Sequence, residues 1–414
     1  MSEWEFLKIK DLVSDGSLEK PLDGNHGGLH PKGQDFVTSG IPFVMASDIN
    51  NSQIDLVGCK FISKQQALSL RKGFAKTGDV LLTHKATLGR TSLVPPLKTD
   101  FIMLTPQVTY YRVRDKSRIN NHYLKYYFDT PDFQKTLANH GDAGSTRAYI
   151  GITAQHDLPV ILPPINEQKA IASVLSSLDE KIDLLHRQNK TLESMAETLF
   201  RQWFIKGVQE GWSETTIGEV FTLNGGSTPS TKDDDFWDGD ISWTSPRDLS
   251  GSESIFLMST ERKITSLGLK RISSGLLPVR TLLMSSRAPI GYLSITDIPV
   301  AINQGYIAIR ENPDYHSEYM YLWCKLNMET IKNSGNGSVF QEISKSSFRN
   351  LTFIEPPKEK VQSFNELTRD LFEKNRLNTK QIRRLERLRD TLLPKLMSGE
   401  VRVQYAEEAI ASVA

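Results

Sequence analysis

The sequence predicts an α+β chain. Two similar domains of mixed, mostly β character are each followed by a long helix, and the two helices pair as a coiled coil. Three observations carry this. First, a segment recurs. Residues 142–164 and 335–357 align at an offset of 193, so that Gly144, Ser145, Ile150, Leu158, Pro163 and Pro164 meet Gly337, Ser338, Ile343, Leu351, Pro356 and Pro357. Second, each copy ends in Pro-Pro and leads into a long helical pattern. Third, short β-type runs punctuated by Gly, Pro, Asn and Asp fill the stretch before each copy. Two like domains with like helices predict a molecule of approximate two-fold symmetry.

The first domain spans 1–164. Runs at 41–45, 80–83, 91–94, 107–113 and 158–162 read as strands. A helical patch at 121–137 carries Tyr123, Leu124, Tyr126, Tyr127 and Phe128, a core face rather than a base-stacking one. Proline disfavours helix in the residue before it and suits a helix start, so Pro163-Pro164 marks a boundary. The first long helix is predicted over 165–206, with Asn166 as N-cap and Glu167 in the first turn. Its seam reads Leu175, Leu178, Ile182, Leu185, Asn189, Leu192, Ala196, Leu199, Trp203. Spacings of three and four make a coiled-coil stripe, and the one Asn in it fixes register at the expense of stability.

The second domain spans 207–357 and repeats the plan. Trp4 and Ile9 correspond to Trp212 and Ile217, Ile41-Pro-Phe43 to Ile241-Ser-Trp243, and Ala86 and Gly89 to Ala288 and Gly291. Phe43 and Trp243 read as core. The offset drifts along the chain, which places insertions in loops of the first copy, where specificity is carried on a shared scaffold. The second helix is predicted over 358–398. Its seam of Thr368, Leu371, Asn375, Asn378, Ile382, Leu385, Arg389, Leu392 and Leu396 is more polar and suits pairing with the first helix rather than with itself. Helices of about 40 residues reach roughly 60 Å. Packing of each helix on its own domain is the alternative. The tail 399–414 shows no pattern.

Composition narrows the class. The 38% hydrophobic content suits ordinary globular cores. No stretch approaches the roughly 20 apolar residues of a membrane span, and the polar start Met-Ser-Glu-Trp-Glu is unlike a signal peptide. Two distant cysteines, Cys59 and Cys324, predict a reducing cytoplasm and no multi-ligand zinc cluster. The eight histidines are scattered along the chain, and no metal site is expected. Phosphate-loop and Gly-x-Ser-x-Gly signatures are absent. So is the Asn/Asp-Pro-Pro-aromatic tetrapeptide of amino-methyltransferases, since the two Pro-Pro pairs precede Ile165 and Lys358. Asp179-Glu180-Lys181 reads as a solvated helix face. No catalytic residues are predicted. A net charge of +1 means that a nucleic-acid binder of this composition needs local basic clusters or a partner's charge.

Candidate contact residues lie in matched loops. Lys85 and Arg287 sit beside small hydroxylated residues at a tight turn, with Arg90 and Ser286 adjoining. Lys and Arg reach phosphates or guanine O6 and N7. Asn25, His26, Ser227, Thr228 and Lys232 belong to Gly/Ser-rich loops suited to a phosphate backbone, with Arg247 beyond them in the second domain. The repeated loop holds Ser145, Thr146 and Arg147 in one copy, Ser338, Gln341 and Lys345 in the other. Arg suits guanine and Gln suits adenine. A plain solvated turn is the alternative for each loop. Lys374–Arg389 is a basic stripe, either a DNA- or partner-facing surface or a solvated helix face.

Taken together, Gly225-Gly-Ser-Thr-Pro-Ser, Asp240-Ile-Ser-Trp243, Asp248-Leu249, Ser285-Ser-Arg-Ala-Pro-Ile-Gly291, Ala301-Ile-Asn-Gln304 and Pro163-Pro-Ile-Asn-Glu-Gln168 resemble the specificity subunits of type I restriction–modification systems over nearly the full chain. The second copy departs at its boundary, with Pro356-Pro-Lys-Glu-Lys-Val361. The resemblance implies two target-recognition domains, each reading half of a bipartite double-stranded DNA site, and helices forming an antiparallel coiled coil that sets the gap. It implies two docked modification subunits, which carry S-adenosylmethionine and the adenine methyltransferase chemistry. Restriction subunits using ATP and Mg are a further implied partner, and the chain itself would hold no cofactor. For helix pairing and partner docking the candidates are Leu178, Ile182, Leu185, Asn189, Leu192, Leu371, Asn378, Ile382, Leu385 and Leu392. The competing class is a non-catalytic coiled-coil scaffold whose domains bind proteins.

Overall fold

Each domain is tied shut by its own ends. Glu5–Lys8 pairs antiparallel with Pro159–Leu162, Phe6 opposite Ile161, and Ser213–Thr216 pairs the same way with Thr352–Glu355. The short helices Ile9–Ser14 and Ile217–Val220 follow the opening strands. Ile9 N donates to Leu158 O and Ile217 N to Leu351 O, which fixes the two starts in one geometry. The computed structural model describes residues 4–85, 87–141, 149–287, 289–335 and 341–403. It divides into two units, Met1–Lys181 with Leu385–Ala414, and Ile182–Arg384.

In the first unit, a four-stranded antiparallel sheet runs in the order Thr91–Leu93, Val80–Thr83, Val108–Tyr111, Leu22–Asp23. A five-stranded sheet holds Phe36–Val37, Lys60–Ile62, Ile41–Val44, Ile102–Leu104 and Phe74–Ala75, and sets Phe43 parallel to Met103. In the second unit, the five-stranded sheet runs Leu223–Gly225, Tyr306–Ile309, Leu282–Ser285, Leu293–Thr296, Phe256–Leu257. A three-stranded sheet of Arg262–Ile264, Trp237–Thr244 and Ala301–Ile302 sets Trp243 parallel to Ala301. Val80–Thr83 and Leu282–Ser285 are buried at every residue, as expected of strands covered on both faces. Phe43 and Trp243 are core residues.

The helical patch expected at 121–137 is two helices, Asn121–Asp129 and Pro131–Gly141. Pro131 forces the break, because it pushes Thr130 out of helical backbone and suits the first turn of a new helix. Tyr123, Tyr126 and Tyr127 are buried.

The first long helix is Ile165–Phe200, continued by a π-type turn at Arg201–Ile205, and the second is Lys358–Met397. Asn166 is not the N-cap. The backbone N–H groups of Glu167 and Gln168 donate to Pro164 O, which places Asn166 inside the first turn. The anchoring side chain is Gln168, almost fully buried. Its amide donates to Arg118 O at 2.9 Å and Pro163 O at 2.8 Å, and accepts from Asn120 N. The second copy has Val361 at the same step, buried in an apolar cluster. The departure from Glu-Gln therefore exchanges a polar anchor for an apolar one within the chain.

Among the seam candidates, Leu178, Ile182, Leu185, Asn189, Asn378, Ile382, Leu385 and Leu392 are buried, whereas Leu192 and Leu371 are partly so. Beside Leu371, Phe372 takes the buried position. Within the second unit the helices run antiparallel. Asn189 lies against Asn375, Asn378 and Thr379, while eleven residues on Phe200 stacks edge-on to Phe364. The same stretches also pack on the second domain, where Phe200 and Phe204 meet Tyr319. In the first unit Asp179 is no solvated residue. It accepts from Tyr126 Oη at 2.7 Å and Arg389 Nη1 at 3.0 Å, with Lys125 Nζ at 3.7 Å. Among the described residues no helix is long and apolar enough to cross a membrane.

Candidate nucleic-acid interface

One turn is built twice. After the buried central strand, Thr83 N donates to Arg90 O and Ser285 N to Tyr292 O. Gly89 N and Gly291 N close back on Thr83 O and Ser285 O. These glycines have φ of +89° and +108°, backbone that a side chain would strain. The turns carry Lys85 and Arg287, which bridge to Tyr149 and Glu342 at the end of the repeated loop. Backbone bonds from Ile150 N to His84 O and from Ile343 N to Ser286 O complete each junction. A second glycine pair sits under the first loops. A Cβ on Gly24 or Gly226 would collide with the carbonyl of Leu104 or Ile302.

In the first domain, Lys85 is exposed, its Nζ 5.6 Å from the centroid of the Tyr149 ring. Arg90 folds onto the neighbouring loop, where Nη1 donates to Ile49 O at 2.9 Å and Asn50 Oδ1 at 2.6 Å. Asn25 is buried. Its amide donates to Lys72 O and accepts from Arg71 N, so it braces a loop. His26 is exposed and bonds Asp23 through Nε2 at 2.8 Å. Asp23, buried, also pairs with Lys72. His84 lies beneath. Its Nδ1–H donates to Ile150 O, and its Nε2, 3.9 Å from Asp23, has no hydrogen-bond partner among the described residues. Burial pushes the His84 imidazole below its ordinary value, opposed by the bond to Ile150 and the charge of Asp23. Ser145, Thr146 and Arg147 lie outside the described residues, as does Ser338 in the second copy.

In the second domain, Ser227 Oγ donates to Arg271 O at 3.1 Å. Thr228 Oγ1 donates to Gln304 Oε1 at 2.7 Å, and both of these residues are exposed. Arg247 stands 3.7 Å from Glu261, its side chain 83% exposed. Arg287 stands 3.7 Å from Glu342, 41% exposed. Ser286 is buried, whereas Lys232, Gln341 and Lys345 are exposed. Thus Arg247, Arg287 and Ser286 come to one region of the domain, where Ser245, Arg247, Arg287, Tyr292 and Asn303 border a cleft of about 400 Å³. Sequence reading missed Asp23, Tyr149, Tyr292 and Glu342 as members of these sites. Each is joined to its neighbours by tertiary pairing, although Tyr149, Glu342 and Gln304 lay in segments already singled out.

Part of the basic stripe of the second helix is neutralised by acidic partners within the chain. Arg376 and Lys380 both pair with Asp297, at 3.0 and 2.9 Å, and Arg389 pairs with Asp179. Arg384 and Arg387 remain exposed.

Residues 1–194 and 209–387 match the family described as the type I restriction modification DNA specificity domain. The chain belongs to this family. Relatives agree. The type I restriction enzyme MjaIX specificity subunit of Methanocaldococcus jannaschii is 36% identical over 168 residues, 40% of this chain and 39% of that subunit. A putative MjaX specificity subunit of the same organism is 22% identical over 97% of this chain and 94% of its own length. The type I restriction–modification S subunit from M. genitalium shares the fold, with a TM-score of 0.58 at 16% identity, covering 95% of this chain and 96% of that one. The family's recognition of DNA sequence gives the paired turns a context. Both follow fully buried strands, with Lys85 exposed and Arg287 half-buried at the tip.

Proposed function

We propose that the chain is the non-catalytic specificity subunit of a type I complex, and that each domain reads one half of a bipartite duplex DNA site. The antiparallel helices set the gap between halves and dock two modification subunits, which supply S-adenosylmethionine and the methyl transfer to adenine. Restriction subunits, with their ATP and Mg, join the same assembly. The observation that carries this reading is the twice-built turn with different tips. Lys85 beside Tyr149 and Arg287 beside Glu342 occupy one backbone frame. A shared frame with unlike side chains is what two unlike half-sites require, because base-edge contacts specify while phosphate contacts only position.

The test is to map methylated adenines in a genome expressing the chain with its modification subunit. The expected result is a two-part motif with a fixed gap. Methylation at a continuous motif, or none, overturns the reading.

A further inference from the structure

The two domains can be compared position by position through their hydrogen bonds. Arg90 N donates to Thr83 Oγ1 at 2.9 Å, and Tyr292 N donates to Ser285 Oγ at 2.8 Å, so Arg90 and Tyr292 are equivalent. His84 N donates to Gln107 O and Ser286 N to Gly305 O, so Gln107 and Gly305 are equivalent. Met45 N is capped by Asp48 and Ser245 N by Asp248, which makes Ser47 the counterpart of Arg247.

These exchanges change the surface. In the first domain the Arg90 guanidinium is held against the loop carbonyl of Ile49 and the side chain of Asn50. In the second, Tyr292 and Gly305 replace Arg90 and Gln107, and the cleft of about 400 Å³ lies there, bordered by Ser245, Pro246, Arg247, Arg287, Tyr292 and Asn303. Its floor depends on Gly305, where a Cβ would stand 3.0 Å from Pro246 Cγ.

The cleft offers donors and one apolar wall. Asn303 uses its Oδ1 to accept from Gly305 N, which leaves its NH₂ to donate. The half-buried Arg287 is restrained, while Arg247 stands out in solvent. Their ion pairs with Glu342 and Glu261 are long and partly exposed, a class worth little in water and readily exchanged for a ligand. A guanine in the major groove presents two acceptors, O6 and N7, to the fork of one guanidinium. A phosphate accepts from any exposed cation. We propose that Arg287 reads a guanine in the half-site of the second domain from this cleft, and that Arg247 at the rim contacts phosphate. The proposal rests on the half-site reading given above.

The experiment uses the full chain assembled with its modification subunit and a duplex library randomised across both half-sites. Arg287→Ala flattens the preference at one position of the second half-site by roughly tenfold to a hundredfold and leaves every other position intact. Arg287→Lys, which keeps the charge and loses the fork, flattens the same position. Arg247→Ala weakens all sequences alike and lowers the salt slope by about one. Uniform weakening by Arg287→Ala with a lower salt slope makes it a phosphate contact and overturns the proposal, and so does an unchanged profile. A wild-type assembly without sequence preference overturns the half-site reading itself, and this proposal with it.

Discussion

Asn25 and His26 are chain neighbours with opposite surroundings. The sequence presents them as one polar pair in a glycine-rich loop. Asn25 turns inward to Arg71 and Lys72, partners more than forty residues away, while His26 stays exposed on Asp23. No local pattern distinguishes them, because the deciding partners are distant in sequence. The same limit hid His84, which the sequence shows only as one scattered histidine. Held neutral by burial, His84 binds a proton less readily folded than unfolded, so its contribution to stability is full above its ordinary pKa of 6.5. It is lost as pH falls below that value. Asp23, His26 and Lys85 are the titratable groups that face it. We expect the thermal midpoint of the chain to drop between pH 7.5 and 5.5, and the drop to shrink in His84→Gln. An equal drop in both proteins would remove His84 from that role.

At the scale of the element, the heptad pattern located both helices, and Asn189 stood out as the one polar seam residue of the first. What it could not show is the size of the polar node. Asn189 Nδ2 donates to Thr379 Oγ1, Asn378 donates to Asn189 Oδ1, and Asn375 donates to Asn189 O. The Oδ1 atoms of Asn375 and Asn378 have no hydrogen-bond partner among the described residues. Such a site costs stability and penalises any other alignment of the helices. Replacing Asn189 alone by Leu should destabilise by about 1–3 kcal/mol, since it takes the Oδ1 acceptor from the buried Asn378 amide. Adding Asn378→Leu should recover part of that loss. A denaturant-unfolding double-mutant cycle measures the coupling, and simple additivity would count against a shared node. The helices also carry the spacing prediction. One heptad added to each lengthens the pair by roughly 10 Å, or about three base pairs of DNA. Methylation mapping should show the gap grow accordingly, and an unchanged gap would refute the ruler.

For the whole molecule, the repeat made the two-domain plan legible, because a shared offset survives divergence of side chains. The division of the helices was not legible. Heptads describe a stripe, not what each length of it packs on, and the second helix contributes its residues from Leu385 onward to the first unit. There Leu385, Leu392 and Leu396 are buried and Arg389 meets Asp179. Deleting 385–414 should therefore lower hydrogen-exchange protection in 4–181 while leaving that of 213–355 nearly intact. Loss confined to the second domain would contradict this division.

That division also gives the protein a birth order. A ribosome finishes residue 181 long before it reaches residue 385, the first of the segment that completes the same unit. At 5–20 residues per second the wait is roughly 10–40 s. During it, Leu175 and Leu178 emerge without the helix that shares their unit, and Asp179 without Arg389. The second unit, contiguous from 182 to 384, has no such delay. The unit begun first is thus the last to be completed.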